Sequence, residues 1–210
     1  METVKSMEIF YTAVLAVAAF FLGAVPFSVI IGRWALKKDI TKYGDGNPGA
    51  ANVFRAGSKK VGLVAVALDI VKGAPFVFGA HYVLDLPILA PVIIAIAAIL
   101  GHAYSPFLHW RGGKAIAVSF GTLIGLLPQW DILVVFMAAF ILGALLVGND
   151  AWGVIFGTIG SLIFFAVIKG YSWEPLLLLC ILIILVIKHF EDLRTIPHFG
   201  GRFLRLFHAR

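Results

Sequence analysis

MEIFYTAVLAVAAFFLGAVPFSVII, residues 7–31, is an apolar run of more than 20 residues. About 20 helical residues cross a hydrocarbon core, so this stretch is long enough to span a bilayer. A signal peptide would carry only about 7–15 apolar residues and end in a small-residue cleavage site, and neither feature fits here. The run is expected to be a retained first helix. The rest of the 210-residue chain repeats the theme: 61% of residues are hydrophobic, 13% are charged, and the mean hydropathy is +1.00. Soluble domains carry about 25% charged residues. The composition therefore predicts an all-α integral membrane protein, with no low-complexity linker and a single domain over residues 1–210.

Apolar runs predict seven transmembrane helices near 9–31, 61–82, 87–104, 115–128, 131–148, 151–169 and 174–190. The fourth is short before Pro128, in the length range of re-entrant segments. Pro26 and Pro75 are expected to kink their helices. Nearly all of the 17 basic residues fall on the loops at 32–60, 105–114 and the C-terminal tail, while Lys5 and Lys169 lie on the opposite side and Lys72 within a span. The positive-inside rule then sets the N-terminus outside and the C-terminus in the cytoplasm. The tail GRFLRLFHAR, 201–210, reads as a contact for anionic lipid. The lone Cys180 excludes an intramolecular disulfide, and no residue set has metal-ligand spacing. No cofactor, metal or nucleic-acid partner is expected.

Against this apolar background, YGDGNPGAANVFRAGSKK, residues 43–60, is an interruption. Gly44, Gly46 and Gly49 let the backbone bend and approach a ligand. Asn47 and Asn52 supply amide donors and acceptors, Arg55 has the planar fork that suits phosphate oxygens, and Lys59 and Lys60 add charge. The residue types suit a phosphate-binding loop; the competing reading is a turn-rich connector. A second segment, GHAYSPFLHWRGGKA at 101–115, sets His102 after a glycine and puts Arg111, Gly112, Gly113 and Lys114 ahead of a short helix. Cations beside a helix N-terminus make an anion seat. A third, IKHFEDLR at 187–194, spaces His189 and Asp192 three apart. In LDIVKG, Asp69 and Lys72 share a helix face and can pair at membrane depth.

Several chemistries are excluded. GxxxxGK[ST] is absent, since Ala115 follows Lys114. There is no Gly-x-Ser-x-Gly elbow and no HExxH. An HxxxxD acyltransferase motif is missing too: Leu86 stands five after His81, and Phe107 five after His102.

GDGNPGAANVFRAGSKKVG, LDIVKG and GHAYSPFLHWRGGKA together resemble the bacterial acyl-phosphate:glycerol-3-phosphate acyltransferase family. The first family motif is similar to GSGNxGATNxxR: Gly44, Gly46, Asn47, Gly49, Ala50, Asn52 and Arg55 match it, while Asp45 and Ala51 stand at its serine and threonine. Gly101, His102, Gly112, Gly113 and Lys114 match the second, with Ala115 at a glycine position. VGNDAWGVIFG at 147–157 departs from the serine-containing third motif; His189 matches, and Asp192 replaces an asparagine. The resemblance implies a seven-helix enzyme of the bacterial inner membrane. It would move an acyl group from acyl phosphate to glycerol 3-phosphate, giving lysophosphatidic acid and phosphate for phospholipid biosynthesis. It implies His102, Lys114 and Arg55 as catalytic residues. Gly44, Asp45, Gly46, Asn47, Gly49, Asn52, Lys59, Gly112, Gly113 and His189 would bind substrate. The partners implied are the two substrates, membrane lipid and the enzyme that makes acyl phosphate. Two other readings stay open: a transporter or channel for a small phosphorylated metabolite or anion, and a relative that binds acyl phosphate or lipid without turning it over. No inverted repeat is visible, which counts against transport.

Overall fold

The computed structural model describes residues 2–147 and 149–196, and every regular element among them is helical. The basic tail at 201–210 lies outside the described residues. The chain divides after Pro128 into two compact units.

The first unit begins with α1 (Glu2–Ala24) and α2 (Phe27–Leu36), where an unbroken helix was expected at 9–31. Pro26 is the reason, because it has no N–H to continue the ladder and its ring clashes with the preceding turn. The break frees carbonyls at the end of α1, and two side chains take them up. Ser105 Oγ donates to Ala24 O at 2.6 Å, and Lys72 Nζ donates to Val25 O at 2.9 Å. A short helix α3 (Ala50–Arg55) precedes α4 (Lys59–Val71), which Ser58 caps by accepting the Val61 N–H. The expected second span is also interrupted, before α5 (Pro75–Phe78), which opens on Pro75 and runs into a π-helical turn at Gly79–Val83. α6 (Leu89–Ala103) and α7 (Ile116–Gly125) complete the unit.

Small residues let these helices approach closely, as in membrane helix packing generally. A Cβ on Gly23 would collide with Ala98 O, and one on Gly101 with Phe20 O, so α1 and α6 pack antiparallel, backbone to backbone. Gly121 meets Ile70 in the same way, closing α7 on α4. In the second unit, α8 (Trp130–Leu146) packs on α9 (Asp150–Lys169) through Gly143 and Gly153, and α10 (Trp173–Lys188) and α11 (Phe190–Leu193) follow. Lys169 pairs with both Asp131 and Glu174 there.

Among the described residues, four segments are long and apolar enough to cross a membrane: Thr3–Leu36, Lys59–Val83, Leu89–Leu108 and Asp150–Lys169. With 10 residues, α7 rises only about 15 Å, half of a ~30 Å hydrocarbon core. Large apolar side chains face outward along the helices. Ile9, Phe10, Phe21, Leu63, Ile163, Phe164 and Ile183 are 46–64% exposed, an arrangement suited to lipid rather than water. The chain is a multi-pass helical membrane protein.

Candidate active site

The polar interruption folds as a knob pinned from below by an apolar plug. Ile40 and Val53 are fully buried and pack with Val29, Ala56 and Ala65 of the flanking helices. Asp39 caps the turn Ile40–Lys42 by accepting from Thr41 N at 3.1 Å and Thr41 Oγ1 at 2.7 Å. Lys38 closes the far end, donating to Ala56 O at 2.6 Å. Between these anchors a tight turn joins Gly46 N to Tyr43 O at 3.1 Å. Gly44 and Gly46 both have positive φ, 57° and 73°, which glycine alone adopts freely. At Gly44 a side chain would also strike Asn52 and Arg55.

That turn aims Asp45 inward, and four donors or cations meet its carboxylate. Lys114 Nζ lies 2.5 Å from Oδ2. Asn52 Nδ2 donates to Oδ1 at 3.0 Å, Asn47 N donates to the same oxygen at 3.2 Å, and Arg55 Nη1 stands 3.6 Å away. Asn52, itself buried, ties the group together: it donates to Asn47 O at 2.9 Å and accepts from Arg55 Nη1 at 2.8 Å. Burial alone would raise the Asp45 pKa. The Lys114 contact and the Asn47 and Asn52 bonds outweigh it and hold the carboxyl at about 2. A carboxyl so depressed favours the folded loop above pH ~4 and loses that contribution as pH falls toward 2. Asp45 is therefore an anion at every pH where the protein would be assayed.

RGGK reaches this cluster because its glycines lie flat on the end of α6. Gly113 N donates to His102 O at 3.0 Å. A Cβ on Gly112 would strike that same carbonyl, and one on Gly113 would strike His102 Nε2. Neither glycine has positive φ, so close packing on His102, rather than backbone conformation, is what excludes a side chain. Left-handed residues flank the pair instead: His109 and Trp110 before it, at φ 53° and 65°, and Ala115 after it, at φ 67°, immediately before α7. An L-residue there costs about 1–2 kcal/mol. Ala115→Gly is expected to raise thermal stability by about 1 kcal/mol, read as a higher melting midpoint in detergent.

Behind His102 lies a buried polar set. Asp69 Oδ2 accepts from Ser28 Oγ at 2.7 Å, while Asp69 Oδ1 sits 2.7 Å from Lys72 Nζ and 3.9 Å from His102 Nδ1. Among the described residues, no donor is aligned on Asp69 Oδ1 as a hydrogen bond. A cavity of about 10 Å³ is lined by Pro48, Asp69, Lys72, His102, Ser105 and Gly113. It has room for one water and several polar partners for it. Lys72 thus faces protein, as a charge at membrane depth must.

Of the residues singled out from the sequence, the first unit gathers Gly44, Asp45, Gly46, Asn47, Asn52, Arg55 and Lys114 into one cluster, with Gly112 and Gly113 backing it on His102. Gly49 starts α3, and its backbone N–H donates to Asn47 O at 2.8 Å. Lys59 is exposed in the first turn of α4, outside the hydrogen-bonded cluster. His189 belongs to the second unit, buried at the end of α10 with Nδ1 2.8 Å from Leu185 O. The divergent stretch at 147–157 has a use there: Asn149 caps α9 and donates to Thr195 Oγ1 at 2.6 Å, and Trp152 Nε1 donates to Thr195 O at 2.7 Å. Both fasten the chain that follows His189. Ser28 and Ser105 gave no signal in the sequence, whereas Asp69 did, as a carboxylate inside a span.

In this helical membrane protein, two cations from separate motifs, Arg55 and Lys114, converge on the Asp45 carboxylate. The family can be named. The chain belongs to the glycerol-3-phosphate acyltransferase family, whose model matches residues 13–198. The glycerol-3-phosphate acyltransferase of Lactococcus lactis subsp. lactis is 32% identical over 195 residues, covering 88% of this chain and 89% of that protein. The enzyme of that name from Anaeromyxobacter sp. is 33% identical over 202 residues, 87% of this chain and 91% of the relative. Crystal structures of PlsY (YgiH), an integral membrane glycerol 3-phosphate acyltransferase, share the fold. The glycerol 3-phosphate form superposes with a TM-score of 0.75 at 26% identity, over 93% of this chain and 98% of that one. The lysophosphatidic acid form gives 0.76.

Proposed function

We propose that this membrane acyltransferase moves a fatty acyl group from acyl phosphate to glycerol 3-phosphate, and that the Asn47–Asn52–Arg55–Lys114 cluster is its phosphate seat. One observation carries the reading: Arg55 and Lys114, 59 positions apart in the chain by subtraction, close on the same carboxylate. Cations brought together at such separation are arranged for an anion.

The donor is a mixed anhydride with a good leaving group, so the protein needs no nucleophile of its own. A hydroxyl oxygen of glycerol 3-phosphate attacks the acyl carbonyl carbon and forms the ester C–O bond. The bond from that carbon to the phosphate oxygen breaks, and phosphate leaves with the electron pair. The hydroxyl proton passes to His102, whose Nε2 faces Gly113, or to the substrate's own phosphate. Arg55, Lys114 and the Asn47 and Asn52 groups hold the phosphates, so catalysis is alignment plus charge stabilisation. The acyl chain lies between helices. In this reading the chain has seven membrane segments, with the N-terminus outside and the site facing the cytoplasm of a bacterial inner membrane, where glycerol phosphate is soluble and acyl phosphate is made.

Membranes holding the protein, supplied with acyl phosphate and acyl-CoA in parallel, test the donor. Acyl phosphate is expected to support transfer and the thioester is not. A strict preference for acyl-CoA sinks the assignment.

A further inference from the structure

We propose that Asp45 is a built-in counter-anion: its carboxylate fills the phosphate seat between turnovers and sets how tightly a phosphomonoester binds there. The inference rests on the seat assigned above and adds what competes for it.

The donor set around Asp45 is the one a phosphate would use. It combines an ammonium, a guanidinium, a side-chain amide and a backbone N–H, from residues 47, 52, 55 and 114. Charge-assisted hydrogen bonds of this kind are the strong ones. The two cations meet the carboxylate unequally, since Arg55 donates to Asn52 Oδ1 at 2.8 Å. Lys114 is at 2.5 Å, whereas Arg55 stands off at 3.6 Å with its side chain 49% exposed. The local charge also leaves room for an incoming anion. Arg55 and Lys114 bring two positive charges and Asp45 one negative, so the seat keeps one net positive charge while Asp45 fills it.

The occupant can also move aside. Asp45 is flanked by Gly44 and Gly46, both left-handed, and its side chain is 32% exposed. It can rotate toward solvent without uncovering the apolar plug of Ile40 and Val53. A phosphate must therefore displace the carboxylate from Lys114 and Arg55, and part of its binding free energy is spent on that exchange. Protonation offers no release, since the carboxyl titrates near pH 2. The sequence position thus acts on specificity: a weak or monoanionic ligand cannot dislodge Asp45, and a phosphomonoester dianion can.

The test is the dissociation constant for glycerol 3-phosphate, and separately for inorganic phosphate, measured calorimetrically on the purified protein in detergent. Asp45→Asn keeps the shape and the acceptor for Asn47 N–H and Asn52 but removes the charge. It is expected to tighten both ligands about tenfold, the equivalent of about 1.4 kcal/mol. Asp45→Ser, which also removes the charge, should tighten them in the same direction and guards against a misfolded first variant. Lys114→Ala is run beside them. If Lys114→Ala weakens both ligands while neither Asp45 variant tightens them, the counter-anion is overturned and the seat stands. If Lys114→Ala leaves both constants unchanged, the seat itself is wrong and the inference falls with it.

Discussion

Lys114→Ala is expected to cut acyl transfer in membranes by about 10²–10³-fold, the usual cost of removing one preorganised donor from developing charge. Arg55→Ala should cost somewhat less, because Arg55 is half exposed and stands farther from the anion. Lys114 is 22% exposed, closer, and carried on a segment packed against His102. Lys114→Arg is not a conservative rescue, since a rigid fork replaces a point charge. Its turnover should remain well below that of the wild type. Undiminished turnover in Lys114→Ala or Arg55→Ala removes that residue from the site.

The second large effect lies in the buried pair. Asp69→Ala leaves Lys72, whose side chain is 1% exposed, as an uncompensated charge at membrane depth. Breaking such a pair costs about 3–5 kcal/mol. The variant should melt far below the wild type in detergent, with glycerol phosphate turnover lost alongside the fold. Asp69→Leu combined with Lys72→Met removes both charges and should recover part of the stability, because apolar replacements of a buried pair are often neutral, while Val25 O and Ser28 Oγ lose their partners. If the recovered protein is stable but inactive, the pair serves His102 as well as the helix. A single Asp69→Ala variant as stable as the wild type contradicts the structural account.

The helical membrane architecture was legible because its signal is bulk composition: long apolar runs leave the chain few other folds. The site was legible in part for a similar reason. Glycine, asparagine and arginine at 44–55, and RGGK at 111–114, are conspicuous in an apolar chain. Where each helix breaks was harder. Pro26 announced a kink, but the handing of the freed Ala24 and Val25 carbonyls to Ser105 and Lys72 depends on tertiary contacts across 81 and 47 positions. The role of Gly112 and Gly113 could not be read from the sequence, since residue type does not separate positive φ from close approach. Gly112 and Gly113 lie flat against His102, while the left-handed positions fall on His109, Trp110 and Ala115. Asp45 stood out as a negative charge in a cationic loop. Its position between two cations from different segments, however, is a fact of three dimensions.

Proteoliposomes holding the purified protein, with acyl phosphate in the bilayer and labelled glycerol 3-phosphate outside, test the central claim most directly. The account predicts labelled lysophosphatidic acid and inorganic phosphate in equal amounts, dependent on Lys114. Labelled glycerol phosphate accumulating inside the vesicles, with no acylated product, would contradict it and make the chain a carrier.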